Sequence, residues 1–101
     1  MKLSEIYSAV ESYAPLSFQE EYDNAGLQVG LTDDMGYPSD AECTGVLLTL
    51  DVNEAVIDEA VRKGCNLVLS HHPLIYKPMK NVTGTLWQQR CVAKALKRDV
   101  A

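Results

Sequence analysis

The sequence predicts an α/β protein, with helices packed on a largely parallel or mixed sheet organised around a βαβ unit. Val46-Leu47-Leu48-Thr49-Leu50 is a near-continuous apolar run ending at Asp51, the pattern of a strand covered on both faces by helices. Asn53 then stands where an N-cap is needed, ahead of a helix whose buried stripe is Val56, Ile57, Ala60 and Val61, with Gly64 placed for a left-handed C-terminal cap. Leu67-Val68-Leu69 follows as a second strand. A strand, a helix of about three turns and a strand with short joints imply parallel strands and a right-handed crossover.

Other elements flank this unit. From Leu3 to Tyr13 the apolar residues Leu3, Ile6, Tyr7, Val10 and Tyr13 recur at helical spacing, and Pro15 lies where the pattern ends, so an opening helix packs by one face. Ser17-Phe18-Gln19-Glu20 has the form of a capping box for a short helical turn before Asp23 and Asn24. Leu27, Val29 and Leu31 alternate with Gln28 and Gly30, the period of a half-buried strand. The turn formers from Thr32 to Glu42 predict an exposed loop. Beyond Pro78 a loop through Asn81 and Gly84 leads to a last helix with Trp87, Cys91, Val92, Ala95 and Leu96 on one face, and Asp99-Val100-Ala101 reads as the start of another strand.

At 101 residues, 47% of them apolar, the chain has the length of one small domain with a modest core. A formal net charge of -5 argues against a protein that neutralises many phosphates, and Lys94, Lys97 and Arg98 read as a solvated helix face, so nucleic acid is not an expected partner. The three cysteines, Cys43, Cys65 and Cys91, are widely spaced without a C-x-x-C pair, and Cys65, beside a predicted core strand, and Cys91, on the apolar side of a predicted helix, read as small buried hydrophobes in a reducing compartment, hence a cytoplasmic location. The opening MKLSEIYSAVESY carries polar and acidic residues through its apolar positions and lacks the apolar core of a signal peptide, and no run approaches the length that spans a bilayer.

Ser70-His71-His72-Pro73 is the one constellation with chemical content. It follows a predicted strand directly, and in a parallel sheet the carboxyl ends of the strands form the edge where ligands bind. Two imidazoles there can each offer a ring nitrogen to a divalent metal such as zinc, iron or manganese. Neighbouring side chains on a regular strand point to opposite faces, so both serve one site only where the strand has ended; Pro73 favours that by pushing His72 towards an extended backbone. The plainer reading makes one histidine a loop residue and the other a hydrogen-bonded core group. Two ligands are in any case fewer than the three or four of a tight site. The possible additions are Asp51, which reads first as a helix-entry residue, and Asp23 and Glu21, beside a turn. No nucleotide-binding glycine pattern is present, and no Ser, His, Asp ordering compels a triad.

The segments Asp23-Asn24-Ala25-Gly26-Leu27-Gln28-Val29-Gly30 and Ser70-His71-His72-Pro73-Leu74-Ile75, separated by the strand ending Leu50-Asp51-Val52, strongly resemble the Nif-three-like dinuclear metal-centre family, many of whose members carry the name GTP cyclohydrolase I type 2 homologue. The resemblance covers essentially the whole chain. It implies a Nif-three-like α/β fold, two closely spaced divalent metals, and a ring-like homo-oligomer, commonly a hexamer. His71 and His72 match the family's first ligand pair. Its remaining ligands, an aspartate, a histidine and a glutamate further along, have no counterpart in residues 1–101, so the sequence reads as the N-terminal part of a family domain that is incomplete at its C-terminus.

The function expected from the resemblance is that of a divalent-metal-binding protein and metal-dependent hydrolase acting on an unidentified small-molecule substrate. With two ligands the chain alone should bind metal weakly and be inactive. The competing expectation is a non-catalytic metal-binding or scaffold ring that interacts with other proteins.

Overall fold

The structure, a computed structural model, describes residues 1–15, 19, 24–30 and 41–101. The elements run α1 (Leu3–Tyr13), β1 (Val46–Thr49), α2 (Glu54–Arg62), β2 (Leu67–Ser70) and α3 (Trp87–Lys97). β1 and β2 pair in parallel, Val46 opposite Leu67 through Thr49 opposite Ser70, with α2 as the crossover, so the βαβ unit forms as expected. At the far end the predicted strand start at Asp99-Val100-Ala101 is met only by Ala101, because Asp99, at φ +54, and Val100, donating to Ala95 at 2.9 Å, still close α3. Ala101 donates to the carbonyl of Asn66 at 2.9 Å and accepts from the amide of Val68 at 2.8 Å. Those two bonds bracket Leu67 in the manner of a parallel neighbour, so Ala101 opens a third line of chain along the other side of β2.

Local chemistry explains the joints. The Asn53 side chain accepts from the amide of Val56 at 2.9 Å and caps α2. Gly64 sits at φ +73, the left-handed conformation that ends such a helix cheaply only with glycine. Just before β2 stands Asn66: its oxygen accepts from the amide of Thr44 (2.9 Å) and its nitrogen donates to the carbonyl of Glu42 (2.8 Å), which ties the entry of β2 to the entry of β1. α1 starts where Glu5 accepts from the amide of Lys2 at 3.0 Å. Its first residues are stitched to the strand entry by Leu3 donating to Ala41 (2.9 Å) and Cys43 donating to Met1 (2.7 Å).

The core lies between the sheet and the α2/α3 layer. Ile57 (2% exposed), Leu74, Cys91, Val92, Ala95 and Val100 form it, with Val68 packed against them from the sheet. Small residues at Ala60, Cys91 and Ala95 occupy the buried stripes of the two helices and let them approach closely. The helices are also linked at their rim, where Lys94 meets Asp58 at 3.0 Å and Arg90 meets Glu54 at 3.2 Å. Buried Gln89 takes the place of a cap for α3. Its oxygen accepts from the amides of Thr85 (3.1 Å) and Thr83 (3.3 Å), closing the loop ahead of the helix.

Several expectations about packing do not hold. Among the described residues the strands pack against helices on one face; on the other, where α1 stands off across a cavity, Leu48 is 72% exposed and Val46, Leu50 and Leu69 are exposed as well. Val10 and Tyr13 of α1, Val61 of α2, and Trp87 and Leu96 of α3 also lie at the surface. Periodicity places these residues on the correct stripe, but their stripes extend past the elements that face them. No strand forms over the described residues 27–30 of the predicted 27–31 strand, for a reason given below. The predicted turn at 17–20, apart from Gln19, and the loop at 32–42, apart from Ala41 and Glu42, fall outside the described residues.

Replacing Ile57 with alanine should lower unfolding free energy by about 2–5 kcal/mol, and Asn53→Ala by about 1 kcal/mol; both are read as a lower urea midpoint at unchanged slope. Burial pushes the Cys91 thiol above its ordinary pKa, with Glu54 adding to the shift, whereas Cys43 and Cys65 are only partly buried. Thiol labelling at mildly alkaline pH should therefore modify Cys43 and Cys65 promptly and Cys91 only on unfolding, as mass spectrometry of digested samples would report.

Candidate metal half-site

Both strands end in the same way. At the end of β1 the hydroxyl of Thr49 donates to the carbonyl of Asp51 at 2.7 Å, and at the end of β2 the hydroxyl of Ser70 donates to the carbonyl of His72 at 2.8 Å. Thr49 and Ser70 are register partners, so the two turns stand side by side. Each hydroxyl bends its own chain two residues on, the usual effect of a serine or threonine that bonds its local backbone.

The ladder shows where the pleat stops. The amide of His71 donates to Thr49 at 3.1 Å and the next amide, of His72, donates to Leu50 at 3.0 Å. On a regular strand consecutive amides point to opposite neighbours, so two in succession aimed at β1 mean that the backbone has rotated out of the extended repeat at this point. That rotation meets the condition set by the sequence. The two imidazoles no longer lie on opposite faces; their ring centroids are 4.8 Å apart with an interplanar angle of 60°.

Asp51 enters the site by the same register. One residue beyond the Leu50 carbonyl, its Oδ1 lies 2.7 Å from Nδ1 of His72. A helix-entry role for Asp51 is thereby corrected: Asn53 caps α2, and Asp51 is spent on the histidine. Among the described residues no group of three or more His, Cys, Asp or Glu side chains is arranged to hold a metal ion. His71 and His72 thus have two ring nitrogens to offer a cation, with a carboxylate behind one of the rings. The chemistry fits half of a divalent site and no more. Asp23 and Glu21 lie outside the described residues.

A polar clasp holds the segment that follows the histidines. The amide nitrogen of the Asn24 side chain donates to the carbonyl of Ile75 at 2.5 Å, and the oxygen of Gln28 accepts from the amide of Ile75 at 3.1 Å. Gln28 also donates to the carbonyl of Asn24 at 2.7 Å. Residues 24–30 are held by side-chain bonds to the 73–75 segment rather than by a strand ladder, which is why the alternating pattern yields no strand. Sequence reasoning missed this clasp and the part played by Thr49. A polar Gln between apolar neighbours, and a hydroxyl residue closing each apolar run, were the available signals. Between α1 and the sheet lies a cavity of about 500 Å³ with a largely apolar wall that includes Ile6, Tyr7, Leu67 and Leu69, and it reaches His71 and His72.

Fold and site together define an α/β protein built on a parallel βαβ unit, with its chemistry-bearing side chains at the carboxyl edge of the sheet. Over its whole length, residues 1–101, the chain matches the family model described as Duf34/NIF3 (NGG1p interacting factor 3), and it belongs to that family. The NIF3-like protein 1 of Rattus norvegicus is 40% identical over 102 residues, a match covering 100% of this chain and 25% of that protein. A GTP cyclohydrolase 1 type 2 homolog of Clostridium perfringens is 35% identical over 100 residues, covering 99% of this chain and 36% of that protein. Among solved structures, Staphylococcus aureus protein SA1388 superposes with a TM-score of 0.84 at 34% identity, covering 99% of this chain and 30% of that one. Reduced HcgD from Methanocaldococcus jannaschii gives a TM-score of 0.79 at 33% identity, over 99% of this chain and 37% of that one. The chain therefore spans about a quarter to a third of the length of the curated relatives it matches.

Gln28→Ala should speed hydrogen exchange at the Ile75 amide by roughly five- to tenfold, equivalent to about 1 kcal/mol of lost local protection. Exchange at the Val68 amide should be unchanged, and equal acceleration at both would mean that the clasp supports the whole fold and not the loop.

Proposed function

We propose that this chain binds a divalent metal ion through His71 and His72, and that it supplies this half-site to the dinuclear centre of a metal-dependent hydrolase of the NIF3 family. The observation that carries the reading is the convergence of two imidazoles just past the end of β2, their rings 4.8 Å apart, at the sheet edge where ligands bind in parallel α/β folds. Nitrogen donors of this kind suit zinc, iron or manganese. A bound pair of such cations supplies Lewis acidity and an activated water for hydrolysis. The residues of this chain contribute the rest: His71 and His72 as neutral donors, Asp51 behind His72, and the cavity beside them as room for a small substrate. Two ligands among the described residues make a weak site by themselves.

A second reading, a non-catalytic metal-binding scaffold that assembles into a ring with copies of itself or with other proteins, draws support from the apolar sheet face at Val46, Leu48, Leu50 and Leu69. Three free cysteines suit a reducing, cytoplasmic setting for either reading. Among the described residues no helix is long and apolar enough to cross a membrane.

Equilibrium dialysis against zinc, with elemental analysis, tests the proposal. The chain should take up zinc reversibly and weakly, and His71→Ala and His72→Ala should each weaken uptake by roughly tenfold or more. Equal uptake by the His71→Ala, His72→Ala double variant would place any bound metal elsewhere and sink the assignment. The mass in solution, measured on the same samples, separates an assembling chain from a monomer.

A further inference from the structure

We propose that Asp51 is a positioning residue that holds His72 in its Nδ1–H form, so that Nε2 is the nitrogen His72 presents to a cation. The proposal rests on the metal-binding reading above, but its first half stands on geometry within this chain.

A carboxylate is an acceptor only, so the 2.7 Å contact between Asp51 Oδ1 and His72 Nδ1 requires the proton on Nδ1. In a neutral imidazole the other nitrogen then carries the lone pair. The contact is set by backbone as much as by side chains. Thr49 holds the Asp51 carbonyl at 2.7 Å, Ser70 holds the His72 carbonyl at 2.8 Å, and the His72 amide is bonded to Leu50 at 3.0 Å. Both partners are therefore delivered by the β1–β2 register, from positions 21 residues apart in sequence. The two side chains are 56% and 68% exposed, so water competes for the bond, and its effect is a bias in tautomer and ring orientation rather than a large gain in stability. Among the described residues the ring of His71 has no hydrogen-bonding side-chain partner, so its tautomer carries no such constraint. Carboxylates behind metal-binding histidines act in this way, fixing the ring and choosing the donor atom.

The experiment uses the ¹⁵N-labelled chain, stripped of metal with chelator, and long-range ¹⁵N–¹H spectra of the imidazoles at a pH of about 8.5, where an ordinary imidazole is neutral. The expected result is His72 in the Nδ1–H form. Asp51→Ala should shift it towards Nε2–H while leaving His71 unchanged, and Asp51→Asn, whose side-chain oxygen still accepts, should retain part of the Nδ1–H population. On adding zinc, Nε2 of His72 should be the nitrogen perturbed, and Asp51→Ala should weaken the apparent affinity by roughly 10–100-fold. Backbone amide spectra establish that each variant is folded; should Asp51→Ala not fold, the wild-type tautomer and Asp51→Asn decide the matter. His72 in the Nε2–H form in the wild-type chain, or an unchanged tautomer in folded Asp51→Ala, overturns the proposal. Failure of zinc to bind at all would overturn the metal-donor half together with the metal reading, while the tautomer result would still decide whether Asp51 sets the ring.

Discussion

The parallel pairing of β1 with β2 fixes where each polar group at the carboxyl edge can go. With Thr49 opposite Ser70, the two hydroxyls close two turns at the same level, and the next residues but one, Asp51 and His72, come within hydrogen-bond reach. A shift by a single residue would turn every side chain of β2 to the other face and separate this pair. The register is itself held at the strand entries by Asn66, which bridges them, and within β2 by Val68 fitting the α2/α3 core. Packing in the interior thus dictates geometry at the edge. The site contributes little to the stability that maintains it, because its own bonds are exposed.

Features that depend on near neighbours were legible in the sequence. The bounds of α1, the Asn53 cap and the left-handed Gly64 follow from spacing and from the chemistry of one residue, and the strand–helix–strand order follows from their sum. Features that depend on what lies across a gap were not. Apolar periodicity marks Val10, Trp87 and Leu96 as core, yet nothing in a stripe says whether an opposing surface exists, and all three are at the surface. Asp51 shows the same limit for polar groups: beside Asn53 it looks like part of a helix entry, and its real partner is visible only once the parallel register is known. The alternating segment at 27–30 misled for a further reason. Gln28, polar between apolar neighbours, is the residue that binds the segment to Ile75, so the alternation records a clasp and not a pleat.

The clasp joins two stretches that lie far apart in sequence, Asn24 to Gln28 and Ser70 to Ile75. The first stretch has no regular structure of its own, and the second leaves the sheet at His71. Side chains of the first satisfy the backbone of the second, Ile75 being bonded on both its amide and its carbonyl, and the Gln28 side-chain amide also bonds its own stretch at the Asn24 carbonyl. A loop carrying potential ligands is thereby anchored a short distance past them without a strand or helix to hold it, which leaves the imidazoles at the open edge while the chain behind them is fixed.

Ala101 gives the position of β2 a different significance. Bonded to β1 along one edge and to Ala101 at its start on the other, β2 is flanked on both sides at Leu67 and Val68. The imidazoles just past its end are exposed. Asp51 biases the ring of His72, whereas no side chain among the described residues bonds the ring of His71. An incoming ligand would therefore meet one ring whose orientation is preset and one that settles only on contact.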